Sequence, residues 1–299
     1  MTIISHTGNR GGVPYRVQVL TTASPQDFSL QLGSPRNLVV QWGDGSVSAY
    51  TGVTAYKTHS YATAGVYVIT FASGTATSIC FGNTSCTPLL LTGVLTPIPP
   101  TLGLTIATKA FKGCTNCLTW APHFLDAASK KITTYTSAFE ALPAFNEDLG
   151  GLQMARATSV NSMLYGDAAF APATLPWSTP LVADWTYFAR NATLFDPSDL
   201  GSLSTAAATT LNGAYYNSGA NRDVSGWNWA NVTNATNLFN GTPFNQTNYD
   251  LLLPAIVAGG YKPNVTFHAG TAKYGLGAPA TARVTLVAAG WIITDGGPA

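Results

Sequence analysis

The sequence predicts a β-sandwich followed by an α/β solenoid of repeated units and a C-terminal cap. Apolar and polar residues alternate near the N-terminus, as they do in strands with one buried face. Farther along, apolar positions recur every 25 residues, which is typical of stacked repeats. Hydrophobic residues make up 46% of the 299-residue chain, enough for an extensive core. The predicted divisions are an N-terminal arm at 1–12, the sandwich at 13–88, the solenoid at 89–255 and the cap at 256–299.

The sandwich is predicted from alternation and turn chemistry. The inward-facing positions of the first strands are Tyr15, Val17, Val19, Phe28, Leu30 and Leu32. Asp44 and Gly45 follow an apolar run, which is a strong hairpin signal, and Trp42 supplies a large core side chain. We interpret Asp44 as a turn residue rather than a calcium ligand, and His59 as a member of a hydrogen-bonded turn rather than a metal ligand or catalyst.

Three stretches of this module resemble the PKD domain, an immunoglobulin-like sandwich. They are residues 39–46 (VVQWGDGS), 59–61 (HSY) and 65–71 (GVYVITF). The PKD signature is a Trp/Phe-Gly-Asp-Gly turn, a later His-Thr/Ser-Tyr and a Gly-x-Tyr-x-Val strand. The resemblance implies a module of the kind found in extracellular adhesive proteins.

The 25-residue period is carried by columns of apolar or small residues. One column is Ile132, Ala157, Val182, Ala207 and Val232, and another is Phe139, Leu164, Ala189, Ala214 and Phe239. Within a unit, apolar positions at 0, +3 and +7 have the spacing of one face of a short helix, and an extended segment follows. Each unit is therefore predicted to be a helical turn plus a strand. Because no unit can bury its apolar face alone, the units are predicted to stack.

Several units resemble the BspA-type leucine-rich repeat. The resemblance rests on residues 110–114 (AFKGC), 145–149 (FNEDL) and 224–241 (VSGWNWANVTNATNLFNG), and it covers about residues 100 to 255. Residues 290–297 (GWIITDGG) resemble the terminal unit of such proteins in bacteria and phages. After the last unit, the pattern predicts helices at 248–258 and 278–289 and strands at 265–268 and 291–294.

Charge and hydropathy exclude several functional classes. Asp, Glu, Lys and Arg make up only 9% of the residues and the net charge is +1, so no basic cluster is present to neutralise nucleic-acid phosphates. No apolar run approaches the ~20 residues that span a bilayer, so no membrane insertion is predicted. Residues 1–12 lack the basic and apolar regions of a Sec signal peptide.

The cysteines and carboxylates give no strong site. Cys80, Cys86, Cys114 and Cys117 could be free, disulfide-bonded or metal-bound, and we favour Cys117 as a small buried residue. The Asp positions of successive units, Asp148, Asp199 and Asp223, could pair carboxylates at glycosidase spacing. We favour a hydrogen-bonding role at strand edges, because the position recurs with the repeat. The chain is therefore predicted to be no enzyme, with no catalytic residues, no metal and no cofactor.

The predicted binding residues are Tyr216 and Trp229. Trp177 and Trp227 fall in a repeating apolar column and are predicted to be core. The repeats slip register around residues 187–192 and 214–222, where loops of the binding face are expected, and Tyr216 lies in the second of these segments. Trp229 lies outside the apolar column, so Tyr216 and Trp229 are both expected to be exposed to a ligand.

The two resemblances and the missing signal peptide together predict a bacteriophage virion surface protein. The favoured role is a tail-fibre or tail-tip component that binds a receptor or glycan on the host cell. Residues 1–12 would anchor it to other virion proteins, and the chain could form a homo-oligomer. A structural virion protein, such as a head decoration or baseplate spacer, is the first alternative. A bacterial surface adhesin and a carbohydrate-active enzyme follow.

Overall fold

The computed structural model describes residues 13–299, so the predicted arm at 1–12 lies outside the described residues. The strands are β1 (Tyr15–Thr21), β2 (Gln26–Gly33), β3 (Arg36–Gln41), β4 (Val47–Tyr50), β5 (Ala55–Tyr61), β6 (Gly65–Thr75), β7 (Ser78–Cys80), β8 (Leu91–Val94), β9 (Thr119–Trp120), β10 (Thr266–His268) and β11 (Ile292–Thr294). The α-helices of the described residues are α1 (Asp126–Ser129), α2 (Gln246–Gly259) and α3 (Ala278–Ala288).

Residues 13–103, here called the sheet region, contain two sheets that share one core. A mixed six-stranded sheet has the order β4-β3-β6-β1-β8-β9, in which β9 comes from beyond the region and pairs in parallel with β8. A three-stranded antiparallel sheet has the order β5-β2-β7. The strands predicted from alternation are confirmed in β1 and β2, whose predicted inward side chains are buried.

Residues 104–245, here called the repeat region, are built from turns held together by single-residue bridges. Parallel bridges join Ile106 to Thr134, Thr134 to Ser159, and Ser159 to Asp184, and the series continues through Thr210 to Asn234. Equivalent residues of neighbouring units therefore lie side by side, at the predicted 25 residues from Thr134 to Ser159 and from Ser159 to Asp184 and at a slightly different spacing in the other bridges. From residue 130 to 245, the only helical segments are short 3-10 turns at Met154–Arg156 and Leu200–Ser202.

The predicted fold class, a β-sandwich plus an α/β leucine-rich-repeat solenoid, is wrong. The structure has small mixed and antiparallel sheets with three short α-helices among the described residues, and the helix-plus-strand unit does not form. The physical reason lies in the segment predicted to be helical. There, backbone groups bond to the next unit instead of within a helix: the Leu164 N–H donates to the Phe188 carbonyl at 2.8 Å.

Two left-handed residues in each unit also exclude a helix. They lie four positions apart, as in Ser137 and Ala141 or Ser162 and Gly166, and they have positive φ values. An α-helix needs an unbroken run of right-handed residues, so the chain turns twice where the apolar spacing predicted one helical face.

Aromatic rings from successive units stack in the core of the repeat region. Phe145 and Phe170 lie 5.7 Å apart, and Phe170 and Phe195 lie 6.1 Å apart, in near-parallel pairs. All three are buried, and they are spaced by 25 residues in the sequence. This stack supplies apolar burial that a single unit could not supply alone.

The C-terminal residues contain the predicted helices and strands, as α2, β10, α3 and β11. The helices α2 and α3 contact each other, and β10 pairs with β11 in parallel. Ala235 bridges to Phe267 of β10, which attaches this part of the chain to the last repeat unit. Among residues 13–299, no helix is both long and apolar enough to cross a membrane.

Candidate functional site

One row of side chains runs across the repeat units. It consists of the residue that precedes the second left-handed position of each unit: Lys112, Glu140, Tyr165, Arg190, Tyr216 and Asn240. Backbone hydrogen bonds hold the row in register. The Gly166 N–H donates to the Arg190 carbonyl at 2.8 Å, and the Asn191 N–H donates to the Tyr216 carbonyl at 2.8 Å. These backbone hydrogen bonds hold neighbouring members of the row side by side, at roughly the 5 Å spacing of paired strands.

Arg190 lies at the centre of a cluster of tyrosines on this row. Its guanidinium carbon is 4.5 Å from the ring centroid of Tyr216, 4.8 Å from that of Tyr187 and 5.7 Å from that of Tyr165. All four side chains are partly exposed. We call Tyr165, Tyr187, Arg190 and Tyr216 the tyrosine–arginine patch. Three cation–π contacts to one guanidinium fix its position on the surface.

The charge of Arg190 has no counter-charge in the part of the chain that the structure describes. Within residues 13–299 it forms neither a salt bridge nor a side-chain hydrogen bond, and its Nε is buried with no partner. The same row shows the contrast, because Lys112 Nζ lies 2.7 Å from Glu140 Oε1. The acid of the row is therefore already neutralised, and the patch is left cationic.

The backbone at Tyr187 is strained in a way that builds the patch. Tyr187 has a φ of 55°, in the left-handed region where most units place Ser, Asn or Gly. A bulky side chain there costs about 1–2 kcal/mol. Its ring lies against Gly213 of the next unit, where a Cβ atom would come within 2.8 Å of the Tyr187 ring carbons. A tyrosine in a strained conformation whose ring packs against a glycine indicates that the position of this ring matters more than local stability.

The patch offers two kinds of interaction to a ligand. The guanidinium has N–H donors in a planar fork, which suits a carboxylate or a sulfate. The tyrosines offer flat ring faces and hydroxyl groups that form no hydrogen bonds with the described residues. Because its partly exposed side chains come from successive units, the patch suits a ligand that lies across the units.

Of the two predicted binding residues, the structure places only Tyr216 in this patch. Trp229 is 1% exposed and packs against Phe267 and Trp291 at 5.5 and 5.8 Å between ring centroids. The prediction that Trp229 is exposed to a ligand is therefore wrong, because the C-terminal residues cover it. Trp177 and Trp227 are buried, as predicted.

The sequence predicted a binding loop around residues 187–192, which contains Tyr187 and Arg190, but it singled out neither residue, and it missed Tyr165. The signal that could have found part of the patch is the repeat register, since Glu140, Tyr165 and Arg190 are spaced by 25 residues. A polar column in a repeat marks a surface row in the same way that an apolar column marks a core row.

The recurring aspartates bind backbone groups. Asp199 Oδ1 accepts a hydrogen bond from the Leu175 N–H at 2.7 Å, and Asp223 Oδ1 accepts one from the Ser225 N–H at 2.8 Å. Asp148 Oδ1 accepts one from the Gly150 N–H at 2.7 Å. The three carboxylates thus form hydrogen bonds, as predicted, but they lie in turns and loops rather than at strand edges.

His59 and Asp44 belong to one turn network, as predicted. His59 Nε2 lies 2.8 Å from Asp44 Oδ2, and its ring stacks on Trp42 with 4.7 Å between centroids. Asp44 Oδ1 also accepts from the Ser46 N–H at 2.9 Å and from its hydroxyl. A depression of about 300 Å³ lies beside this turn, lined by Gln41, Gly43, Gly45, Ser46 and Val47.

The four cysteines lie where the sheet region meets the first repeat unit, and all are free thiols. Cys117 is buried, as predicted. A hydrogen bond with the Cys80 thiol lowers the pKa of Cys86 to about 7, while burial raises the pKa of Cys114 well above its usual range. Within the described range, no three His, Cys, Asp or Glu side chains are grouped so that they could hold a metal ion.

The comparisons with known proteins bear on the repeat region. Residues 130–251 match the model of a family described as "Mycoplasma protein of unknown function, DUF285", and this match covers less than half of the chain. No PKD, immunoglobulin-like or explicit leucine-rich-repeat family was found. No curated protein and no solved structure matches the chain. The chain is thus similar to this family over the segment that carries the tyrosine–arginine patch.

Proposed function

We propose that the protein is a non-catalytic surface protein that binds a cell-surface component through the tyrosine–arginine patch, as a tail-fibre or tail-tip component of a bacteriophage. The observation that carries the binding role is Arg190, a cation held among three tyrosine rings with no counter-charge in residues 13–299. A guanidinium desolvated on one side and left without an acid gains more from an anionic ligand than from water.

The composition of the chain supports a recognition role. Charged residues make up only 9% of the sequence, so charged side chains are sparse, and Arg190 differs from an exposed arginine such as Arg156 by its position among three tyrosine rings. Tyrosine provides a large contact area at a small cost in side-chain entropy, which is why binding surfaces are enriched in it. The virion setting is supported by the sequence resemblances alone.

The binding role is tested with purified, fluorescently labelled full-length chain on a panel of bacterial cells, measured by flow cytometry. We expect saturable binding to at least one strain, and we expect Arg190→Gln to reduce it. Arg156→Gln is the matched control, because Arg156 is an exposed arginine of the same repeat region that lies off the row. Equal binding by both variants, or no binding to any strain, would contradict the proposal.

The virion setting needs its own measurement. Antibodies against the full chain, applied to phage particles from the source culture, should label the tail tip or fibres in electron micrographs. Label over the head or baseplate would favour the structural alternative, and label on bacterial cells alone would favour the adhesin.

A further inference from the structure

We infer that the tyrosine–arginine patch binds an acidic saccharide, with the sugar's anionic group on Arg190 and its rings on the flanking tyrosines. The inference rests on the proposed function only for the use of the patch as a binding surface. It adds the chemical class of the ligand.

The anionic group follows from the state of Arg190. The guanidinium is positioned by ring contacts at 4.5, 4.8 and 5.7 Å rather than by an acid, so its N–H groups are not used by any described residue. Lys112 and Glu140 neutralise each other at 2.7 Å on the same row, so the neighbouring charges do not compensate Arg190. A carboxylate or sulfate fits the planar fork with two parallel hydrogen bonds.

The saccharide follows from the shape of the patch. Tyr165, Arg190 and Tyr216 come from three successive units, so the patch extends over two inter-unit steps, or about 10 Å. The ring faces suit the apolar C–H faces of sugars, and the tyrosine hydroxyls can bond to sugar hydroxyls.

Two other ligand classes fit less well. A nucleic acid would require several cations along the row, and the patch has one. An extended peptide that adds as a strand would require unused backbone groups, but those of the row are bonded between units, as between the Gly166 N–H and the Arg190 carbonyl.

The patch is also pre-organised. The left-handed backbone at Tyr187, with a φ of 55°, and the seat over Gly213 set the ring before any ligand arrives. Backbone hydrogen bonds between units fix the spacing of Tyr165, Arg190 and Tyr216. A ligand therefore binds without the entropy loss of ordering the side chains that contact it.

The test is calorimetric titration of the full chain with three oligosaccharides of similar length. Oligogalacturonate carries carboxylates, a heparin-derived oligosaccharide carries sulfates, and a dextran oligomer is neutral. We expect at least one acidic probe to bind, with an affinity that falls as salt is raised, and we expect the neutral probe to bind at least about tenfold more weakly. A glutamate-rich peptide and inorganic sulfate complete the set and should bind more weakly than the acidic sugar.

The variants connect the affinity to Arg190. Arg190→Gln should lower the affinity for the acidic probe by about tenfold or more. Arg190→Lys should recover only part of it, because an ammonium keeps the charge but not the fork. The matched control, Arg156→Gln, should leave the affinity unchanged. Unchanged thermal melting of the Arg190 variants would show that the loss is not unfolding.

Several results would overturn the inference: equal binding of the neutral probe, tighter binding of the peptide or of inorganic sulfate, or wild-type affinity in Arg190→Gln. Arg190-dependent binding to cells without acidic-sugar binding would leave the proposed function standing and refute only the ligand class. Arg190-dependent binding of the acidic sugar without cell binding would refute the proposed function and leave the ligand class standing.

Discussion

The sheet region and the repeat region are both held together by backbone hydrogen bonds between neighbouring segments, but they use them differently. In the sheet region, long strands such as β1 and β6 pair over seven residues. In the repeat region, a unit meets the next through a single bridge and several turn contacts. The comparison shows that units can recur at a nearly constant spacing along the sequence although the structure within each unit is irregular.

This difference explains where the binding surface lies. A continuous strand leaves its outward side chains no freedom of arrangement beyond alternation. A unit built of turns can place a residue such as Tyr187 in a left-handed conformation and aim its ring at Arg190. The patch therefore lies in the irregular repeat region and not on the regular strands of the sheet region.

The largest expected effect is a difference in stability between variants of the two binding residues that the sequence predicted. Trp229→Ala should lower the free energy of unfolding by about 3–5 kcal/mol, because it empties a buried site beside Phe267 and Trp291. Tyr216→Ala should lower it by about 1 kcal/mol or less, because that side chain is partly exposed. Urea denaturation of both variants checks this. A Trp229→Ala variant as stable as wild type would contradict the burial of that residue.

A buried carboxyl in the repeat region predicts a smaller effect that depends on pH. Burial raises the pKa of Asp167 well above its usual range, only partly offset by the hydrogen bond from the Leu142 N–H. The folded state therefore holds the proton more tightly than the unfolded state, and stability falls as pH rises above about 4.

Asp167→Asn should remove this dependence. We expect the variant to be more stable than wild type at pH 8, by about 1–3 kcal/mol, because Asp167 Oδ2 has no partner to stabilise its charge. The difference should shrink toward pH 4. Melting curves at both pH values test it, and a variant that is less stable at pH 8 would show that the charge is compensated.

Asp44 of the sheet region should show the opposite pH dependence. Partial burial opposes its ionisation, but hydrogen bonds from Ser46 and the contact with His59 outweigh this and lower the pKa to about 2. Its contribution is therefore present above pH 4 and lost as pH falls toward 2. Because Asp44 is exposed, solvent screening limits the cost of Asp44→Asn to less than about 1 kcal/mol at pH 7. Urea titrations at pH 7 and pH 2.5 check this, and a loss that is equal at both would contradict it.

The last prediction concerns the reactivity of thiols rather than stability. It applies to the junction of the two regions, where the cysteines differ in pKa. Cys86, with a pKa lowered to about 7, should react with iodoacetamide at pH 7.5 well before the buried Cys114. Mass spectrometry of the folded protein after timed labelling would measure the two rates. A Cys86→Ser variant is the control, and it should lose the fast phase. Equal rates at both sites would contradict the assignment.

How far the sequence predicted the fold differs between the regions for a physical reason. Alternation is a local signal, so it identified β1 and β2, and the 25-residue period identified which residues are neighbours. The inner structure of the unit was missed because only some left-handed positions carry Gly or Asn, such as Gly166 and Asn191, while others carry residues such as Ala141 that do not favour that conformation.

The candidate site was only partly predictable. Tyr216 was found because it lies in a segment that slips register, and Trp229 was misassigned because burial by the C-terminal residues depends on contacts across the chain. The lack of a salt bridge between Arg190 and any described acid is likewise a property of three-dimensional placement. Its sequence neighbours give no indication of it.

Hydrogen–deuterium exchange tests most directly whether the ligand binds to the repeat region rather than to the sheet region. The full chain would be measured with and without surface polysaccharide from a strain whose cells bind it. We expect slower exchange in peptides of residues 160–220, which contain the patch, and unchanged exchange at residues 39–48 beside the depression of the sheet region. Protection confined to residues 39–48, with none around Arg190, would contradict it.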